Sequence, residues 1–539
     1  MAFVITRSCC SDALCASVCP ADCIHPTPAE PDFGHTEMLY IDPRRCIDCA
    51  ACAEVCPVDA IYATDELPST ESGYAALNAE YYLARPPTVT LPAPAALKRT
   101  TQPLAVAVVG AGPSGFYAAA ELLEAGPHVT VSLIDRLPTP YGLVRAGVAP
   151  DHQDTKKITE TFAGLLAHPR LTAYFNVEVG ADISHQDLAD HHDAVIYATG
   201  AAVGRRLGVP GEDLPGSFTA AEFVGWYNGH PDHTDAVVTP GHPTAVLVGN
   251  GNVALDVARI LLLGEQMGHT DIADHALERL RSNEIRDVVV LGRRGPEHAA
   301  FSLSQLLALT DLQGVDVVVD PAELENAVVP ADGAYSAAFA SHAKLALLRE
   351  VSTQVPRQDR RIHFRFTSSV CAVTGVDRVE GVDISSATHG ESHVAAGLVV
   401  SCIGFAGRAV VGIPFDAETA CIPHAGGRVL DAAGQVVSGQ YVTGWIKRGP
   451  SGVIGTNKLC AIETVTALLD DHRHGLLRPP THPSSAFADS VHHHSIDRRG
   501  WLRIDEHERD RGRQSGRPRR KSVHRPELVE LAHPQRRSP

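Results

Sequence analysis

The sequence predicts an α/β chain in which two strand–turn–helix units follow a small, cysteine-rich α+β module. Three observations carry that expectation. Nine of the 13 cysteines fall within residues 9–56. An apolar strand runs into Gly110-x-Gly112-x-x-Gly115 and an alanine-rich helix. A second apolar strand runs into Gly249-x-Gly251-x-x-Ala254 and another helix.

The 539 residues, 44% of them hydrophobic, suffice for two or three domains with separate cores. No run approaches the ~20 apolar residues of a membrane span. The opening "MAFVITRSCC" lacks the charged-then-apolar order of an export signal. A cytoplasmic protein without a membrane partner is expected. The net charge of −17 argues against nucleic acid as a partner. Residues 1–66 hold 11 Asp/Glu against 3 Lys/Arg, and residues 490–539 hold 13 Lys/Arg against 7 Asp/Glu, so an acidic module opens the chain and a basic tail closes it.

In "CIDCAACAEVCP" the spacing is Cys46-x2-Cys49-x2-Cys52-x3-Cys56-Pro57. Such a run suits iron–sulfur clusters: three cysteines hold one cubane and the fourth ligates a second cluster. Soft, charged sulfur is what these clusters bind. A zinc site would use two separated pairs, and a disulfide framework would need an oxidising compartment. The stretch "CCSDALCASVCP" repeats the run as Cys9-x2-Asp12-x2-Cys15-x3-Cys19-Pro20, with aspartate in the second position. The duplication predicts one cluster on Cys9, Cys15 and Cys56, and a second, [4Fe–4S], on Cys46, Cys49, Cys52 and Cys19. Asp12 offers iron a hard oxygen, so the first cluster is expected as [3Fe–4S] or as a [4Fe–4S] that loses one iron easily. An ordinary surface carboxylate is the other reading of Asp12. Cys10 is out of phase and Cys23 lies beyond the proline; both are expected to be non-ligands, with Cys10 the substitute. Cys402, within "LVVSCIG", reads as a buried inert thiol. In order and spacing, residues 1–66 resemble a two-cluster bacterial ferredoxin of the seven- or eight-iron type.

Residues 67–103 read as a linker, rich in proline and alanine in "LARPPTVTLPAPAALKRTTQP", with "YAALNAEYYLA" a short helix docking onto a neighbour. In the first glycine unit, Gly110 allows the turn, Gly112 close approach of a pyrophosphate, and Gly115 helix–strand packing. The next strand, "VTVSLID", ends in Asp135, placed to accept a ribose hydroxyl. After the second unit, "IRDVVVLGRRGP" ends in Arg293 and Arg294. Paired arginines there suit an adenosine 2′-phosphate and favour NADP over NAD, two solvated surface arginines being the alternative. The long interval before them marks 264–283 as an insertion. Two dinucleotide folds imply two dinucleotides, one held tightly and one exchanged. "AVIYATGA" (194–201) and "LVVSCIGF" (398–405) resemble the strands that connect domains in flavoprotein reductases. "YVTGWIKRGPSGVIGTNK" (441–458) reads as a glycine-rich return into a helix whose N-terminus would stabilise negative charge on a reduced flavin.

With "LPTPYGLVRAGVAPDHQDTK", "VGNGNVALDVARILL" and "GRRGP", these stretches make residues 104–539 similar to the adrenodoxin-reductase family of ferredoxin–NADP reductases. The whole chain resembles the mycobacterial-type fusion of a ferredoxin to such a reductase. The resemblance implies FAD contacts near Gly115, Asp135, Leu143, Val179 and Trp445, with the backbone of Gly452, Val453 and Ile454 facing the flavin. It implies NADP contacts at Arg205, Asn250, Gly251, Asn252, Val253, Arg293 and Arg294, with Gly452 a further candidate. His152 matches the family's active-site histidine, set to orient groups or steady charge near the flavin; a structural histidine is the alternative. One stretch departs from the family's "AFTTLELREL": this chain reads "AFSLSQLLAL", so Gln305 and Ala308 replace two glutamates and leave coenzyme preference open.

The expected architecture is a two-cluster ferredoxin at 1–66, the linker, a Rossmann-like FAD domain from 104–203 and 405–539, and a NADP-binding domain at 204–404. The expected enzyme is a ferredoxin–NADP reductase that passes electrons from NADPH through FAD to its own iron–sulfur clusters. The acceptor beyond would be a redox protein such as another ferredoxin or a haem-thiolate monooxygenase. Two other readings are an electron-input subunit resembling the glutamate synthase small subunit and a nonenzymatic electron carrier.

Overall fold

The computed structural model describes residues 2–83, 85, 99–236, 238, 241–329, 334–491 and 495–533. In the N-terminal module two small antiparallel pairs, Phe3–Ile5 with Ile61–Ala63 and Ile24–His25 with Tyr40–Ile41, frame the short helices Leu14–Val18 and Ala51–Glu54. The sequence repeat is visible in the backbone. Ser11 and Asp48, Ala13 and Ala50, and Asp22 and Asp59 all take positive φ, and each pair stands 37 positions apart. The same offset separates Cys9 from Cys46, Cys15 from Cys52, Cys19 from Cys56, and Asp12 from Cys49. Left-handed residues are costly away from glycine, and here they turn the chain sharply between successive thiols.

Within the expected linker, Gly73–Tyr81 forms the helix that its sequence predicts. The Asn78 carboxamide pins it to both strand pairs: it accepts the Ile5 and Ile41 N–H groups (3.2 and 2.9 Å) and donates to the Ile5 carbonyl (2.9 Å). Tyr81 stacks on Tyr40 at 4.0 Å. Most of the proline-rich part, residues 84 and 86–98, lies outside the described residues.

Two larger sheets follow, the first parallel over five strands with an antiparallel edge, His424–Ala425 and Arg428–Leu430, and the second wholly parallel. In the first, Leu104–Val109 lies between Ala194–Tyr197 and Val129–Asp135, with Leu171–Phe175 and Val436–Val442 outside them. The second has six parallel strands, with Thr244–Val248 between Leu398–Ser401 and Asp287–Leu291. The chain crosses between the sheets at Val203–Gly204 and returns at Phe405–Ala406, and these two crossings pair antiparallel. Apolar strands buried on both faces need helices on both sides, and the alternating order supplies them. The segment 264–283 is a 3₁₀ turn, Gly264–His269, and a helix, Asp274–Arg281.

A three-stranded antiparallel sheet, Ser368–Ala395, stands beside the second parallel sheet and has no glycine motif to announce it. The basic tail folds back as helices Arg498–Arg513 and Arg525–Ala532. Its charged groups find partners both within the tail and in the body of the chain. Arg145 and Arg519 both bond the fully buried Glu508, and Lys521 joins Lys156 on Asp271. Arg517 and Arg520 hold Asp274 of the helix Asp274–Arg281, so the tail ties the second domain to the first.

Candidate functional site

The cysteines line two hollows. One is walled by Cys9, Cys10, Asp12, Cys15 and Cys56. The other is walled by Cys19, Cys23, Cys46, Cys49 and Cys52. Each run thus sends its last cysteine to the other's hollow. Among the described residues no His, Cys, Asp or Glu group converges as ligands of a single ion do. Burial pushes the Cys9 and Cys52 thiols up to about 11, so neither ionises at neutral pH without a cation beside it. Bound iron would supply that charge, and the donor set fits iron–sulfur chemistry. Cys23, with its sulfur 3.4 Å from that of Cys19, reaches the second hollow although the sequence places it beyond the proline. Asp12 Oδ1 accepts the Leu14 N–H at 3.2 Å, and burial raises the carboxyl above its usual range despite that bond and the nearby Lys458.

The first hollow abuts the glycine-rich return. The Gly455 N–H donates to the Cys10 carbonyl at 2.8 Å. A Cβ on Gly455 would stand 2.4 Å from the Ser11 carbonyl carbon, so only glycine allows this approach. Gly452 takes φ +79°, and the Val453 N–H is held by Thr456 Oγ1 at 3.1 Å. The helix Thr456–Arg473 has no side-chain cap, which leaves its first amides oriented toward the return.

The two glycine turns have one design. A Cβ on Gly110 would lie 2.3 Å from the Ala198 carbonyl oxygen, and one on Gly249 would lie 2.4 Å from that of Cys402. Gly115 is held tighter still, 1.8 Å from the Gly110 oxygen. The middle glycines differ: a Cβ on Gly112 meets nothing nearer than 4.0 Å, and one on Gly251 nothing within 4 Å. Each caps a helix, Pro113–Ala125 or Asn252–Leu263, that has no side-chain cap. Packing does not require glycine at these two positions, and each stands beside open space at an uncapped helix N-terminus.

Around the first turn, Asp135 accepts the Ala111 and Leu137 N–H groups at 2.7 and 2.8 Å. Gly142, before Leu143, lies against Gly112. Trp445 is half-buried, its indole N–H on the Ser451 carbonyl at 3.1 Å. Val179 belongs to the apolar core with Val109, the residue before Gly110, and Tyr197. The sequence reading missed Arg448, which bonds Ser451 and Asn457 and leaves buried Nε and Nη1 without partners among the described residues. Thr199 Oγ1, beside Gly110, is likewise buried and unpartnered. The "KR" inside the glycine-rich return was the available signal.

Around the second turn, the glycines and the arginine pair follow the carboxyl ends of the adjacent strands Thr244–Val248 and Asp287–Leu291, and Arg205 follows the crossing Val203–Gly204. Arg205 is tied to Gly404 and Phe405 by hydrogen bonds. The Asn250 carboxamide occupies the space that a Cβ on Gly292 would need, and Asn252 accepts the Ser302 N–H at 2.7 Å. Val253 packs at the edge of the second core. Arg293 and Arg294 are exposed and form no carboxylate pair among the described residues.

His152 caps Gln153–Lys156, and its Nε2 accepts from Arg259 at 3.0 Å. A guanidinium can only donate, so the imidazole carries its proton on Nδ1. Asp256 lies 3.9 Å from Nε2, but burial and Arg259 lower the His152 pKa and keep the ring neutral. It cannot steady charge as a cation at neutral pH.

A fold with two dinucleotide turns on separate sheets and a cysteine-lined module defines a flavoprotein-type oxidoreductase with an iron–sulfur domain. Residues 104–290 match the pyridine nucleotide-disulphide oxidoreductase family model, and residues 39–62 match the 4Fe-4S binding domain. A Mycobacterium tuberculosis protein named "Probable ferredoxin/ferredoxin--NADP reductase" is 46% identical over 99% of this chain and 95% of its own. The Mycobacterium leprae protein of the same name is 44% identical over 99% and 98%. The structure of Mycobacterium tuberculosis FprA in complex with NADPH is 40% identical, with a TM-score of 0.74, covering 80% of this chain and all of that one. The chain belongs to the family of ferredoxin/ferredoxin–NADP reductase fusions. Among the described residues no helix is long and apolar enough to cross a membrane.

Proposed function

We propose that this chain takes electrons from NADPH and delivers them through its own ferredoxin module to a separate one-electron acceptor protein. The observation that carries the reading is the contact between Cys10 and Gly455, which sets a cysteine hollow against the return beside the first glycine turn. When bound, FAD supplies the exchange between a hydride donor and one-electron carriers, and the clusters supply those carriers.

The chain's own residues do the placing. Gly110, Gly112 and Gly115 with the following helix would hold the FAD pyrophosphate, and Asp135 has acceptor capacity left for a ribose hydroxyl. Arg448 and Thr199 would complete the anionic site with their free donors. Leu143, Trp445 and Gly452–Ile454 would enclose the rest. Gly251 to Val253 would hold the NADP pyrophosphate, with Arg293 and Arg294 on its 2′-phosphate and Arg205 across the turn. His152, neutral and fixed by Arg259, positions a Nδ1–H donor. Cys19, Cys46, Cys49 and Cys52 would hold a [4Fe–4S] cluster. Cys9, Cys15 and Cys56, with Asp12 beside them, would hold a [3Fe–4S] or an iron-labile [4Fe–4S]. Another ferredoxin and a haem-thiolate monooxygenase both have the one-electron chemistry to be acceptors, and a cytoplasmic setting would keep the thiols reduced.

Anaerobic addition of NADPH tests the reading. The flavin absorbance should bleach at about stoichiometric NADPH, followed by reduced-cluster paramagnetic resonance signals. Absence of bleaching in protein that retains FAD would overturn it.

A further inference from the structure

Two acidic side chains of the ferredoxin module end on helices of the second domain. Glu37 Oε2 accepts the Leu303 N–H at 2.6 Å, and its Oε1 meets Lys344 Nζ at 3.1 Å. Asp32 accepts the Ser336 N–H with both oxygens, at 3.0 and 2.9 Å, and its hydroxyl as well. Leu303 is the first residue of the helix Leu303–Thr310 and Ser336 the second of Tyr335–Ser352, so these amides have no acceptor within their own helices. Around them the contact is apolar. Leu303 is buried in the ferredoxin's own core cluster, with Leu307, Tyr335, Phe339 and Leu459 against it. Tyr74 donates to the Ser304 carbonyl at 2.7 Å, and Tyr335 to that of Tyr81 at 2.7 Å. The Gly455–Cys10 bond makes a third attachment, on the first domain.

We infer that the ferredoxin module is a fixed third domain seated across both nucleotide domains, and not a carrier that swings on its linker. The seat turns the hollow of Cys9, Cys15 and Cys56 inward, where Ile454 and the first core pack against it. It leaves the hollow of Cys19, Cys46, Cys49 and Cys52 outward, with Cys49 exposed and Ile47 62% exposed beside it. A partner protein therefore meets the outer hollow, and a separate ferredoxin is excluded from the return at 452–455. The inference rests on the redox reading only for what the partner receives; the seat itself does not depend on it.

Hydrogen exchange on the full-length holo-protein reads the seat directly, because the N–H groups of Leu303, Ser336 and Gly455 donate to ferredoxin oxygens. Peptides covering 301–310, 335–343 and 452–460 should be protected in the wild type. In Asp32→Lys/Glu37→Lys they should exchange about tenfold faster or more, with Asp32→Asn/Glu37→Gln in between. Unprotected wild-type amides would overturn the seat. So would a folded, FAD-retaining lysine variant that exchanges at the wild-type rate. If the lysine variant does not fold, the Asn/Gln variant carries the comparison: faster exchange supports the seat, and an unchanged rate overturns it. NADPH bleaching in the same samples separates the two ideas, since protected amides without bleaching would leave the seat standing and remove the reductase reading.

Discussion

The Cys10 carbonyl accepts the Gly455 N–H at 2.8 Å, which joins the loop carrying Cys9 and Asp12 to the loop that follows Gly452, Val453 and Ile454. One backbone bond thus connects the most altered cysteine run to the expected flavin face. Lys157 and Asp59 form an ion pair across the same boundary at 2.7 Å, but it is exposed and worth little. The close backbone approach, and not charge, sets the spacing.

Gly455→Val should therefore disturb transfer between the modules. Its Cβ would stand 2.4 Å from the Ser11 carbonyl carbon, so backbone must move. Overpacking of this kind costs about 1–3 kcal/mol. Displacement of the two loops should slow cluster reduction on the order of ten- to hundredfold. Stopped-flow absorbance would follow flavin and cluster separately. Cluster reduction at the wild-type rate would show that the contact does not set the spacing.

The arginine pair makes a selective prediction. Arg293 and Arg294 are exposed and have no carboxylate partner among the described residues, so both are available to a phosphate. Replacing both with Ala should raise KM for NADPH about ten- to hundredfold, near 1.4 kcal/mol per tenfold, and change that for NADH little. Equal losses in kcat/KM for the two coenzymes would remove the 2′-phosphate assignment.

The legible parts of this chain are those where spacing alone fixes chemistry. The 37-residue repeat, the cysteine exchange between runs and both glycine turns could be read because each residue type serves a backbone or ligand requirement at a fixed interval. What could not be read depends on distant partners. Arg448 is informative only because two of its nitrogens are buried and have no partner among the described residues. The segment "AFSLSQLLAL" read as a change beside the coenzyme, yet Leu303 and Leu307 on it are covered by the ferredoxin. The basic tail read as charge, and only folding shows Lys521 and Arg519 spent on Asp271 and Glu508. No local pattern encodes which carboxylate a folded cation meets.

His152 should leave no mark on the pH profile near neutrality. Burial lowers its pKa below the ordinary 6.5, and the Arg259 donor adds to that by opposing protonation of Nε2. The folded protein then holds the neutral ring from pH 7 through 8 and somewhat below. Flavin reduction by NADPH should show no inflexion near 6.5, and His152→Gln should change the rate without changing the profile's shape. For stability the sign is definite: below 6.5 the unfolded chain takes a proton that the folded chain resists, so this residue destabilises the fold as pH falls through that value. An inflexion near 6.5 that disappears in His152→Gln would show a titrating ring.

On the proposed cluster assignment, Asp12 decides the nature of the inner cluster. It stands 37 positions before Cys49, in the place of a thiolate, and lines the hollow with Cys9, Cys15 and Cys56. Oδ1 is engaged by the Leu14 N–H, which leaves Oδ2 as the oxygen free to meet iron. A hard oxygen holds that iron weakly, so protein purified in air should show the paramagnetic resonance signal of an oxidised [3Fe–4S] cluster. Asp12→Cys supplies a soft ligand at the repeat position. It should abolish that signal and give two [4Fe–4S] clusters, at a cost of about 1 kcal/mol for the lost turn bond. Cys10 is the rival, since its thiol lines the same hollow. Its carbonyl, however, is committed to Gly455, which restrains how far the loop can turn to present the sulfur. Cys10→Ser should therefore leave the signal in place. If Cys10→Ser alters the inner cluster and Asp12→Cys does not, the ligand is Cys10 and the 37-residue phase fails at that one position.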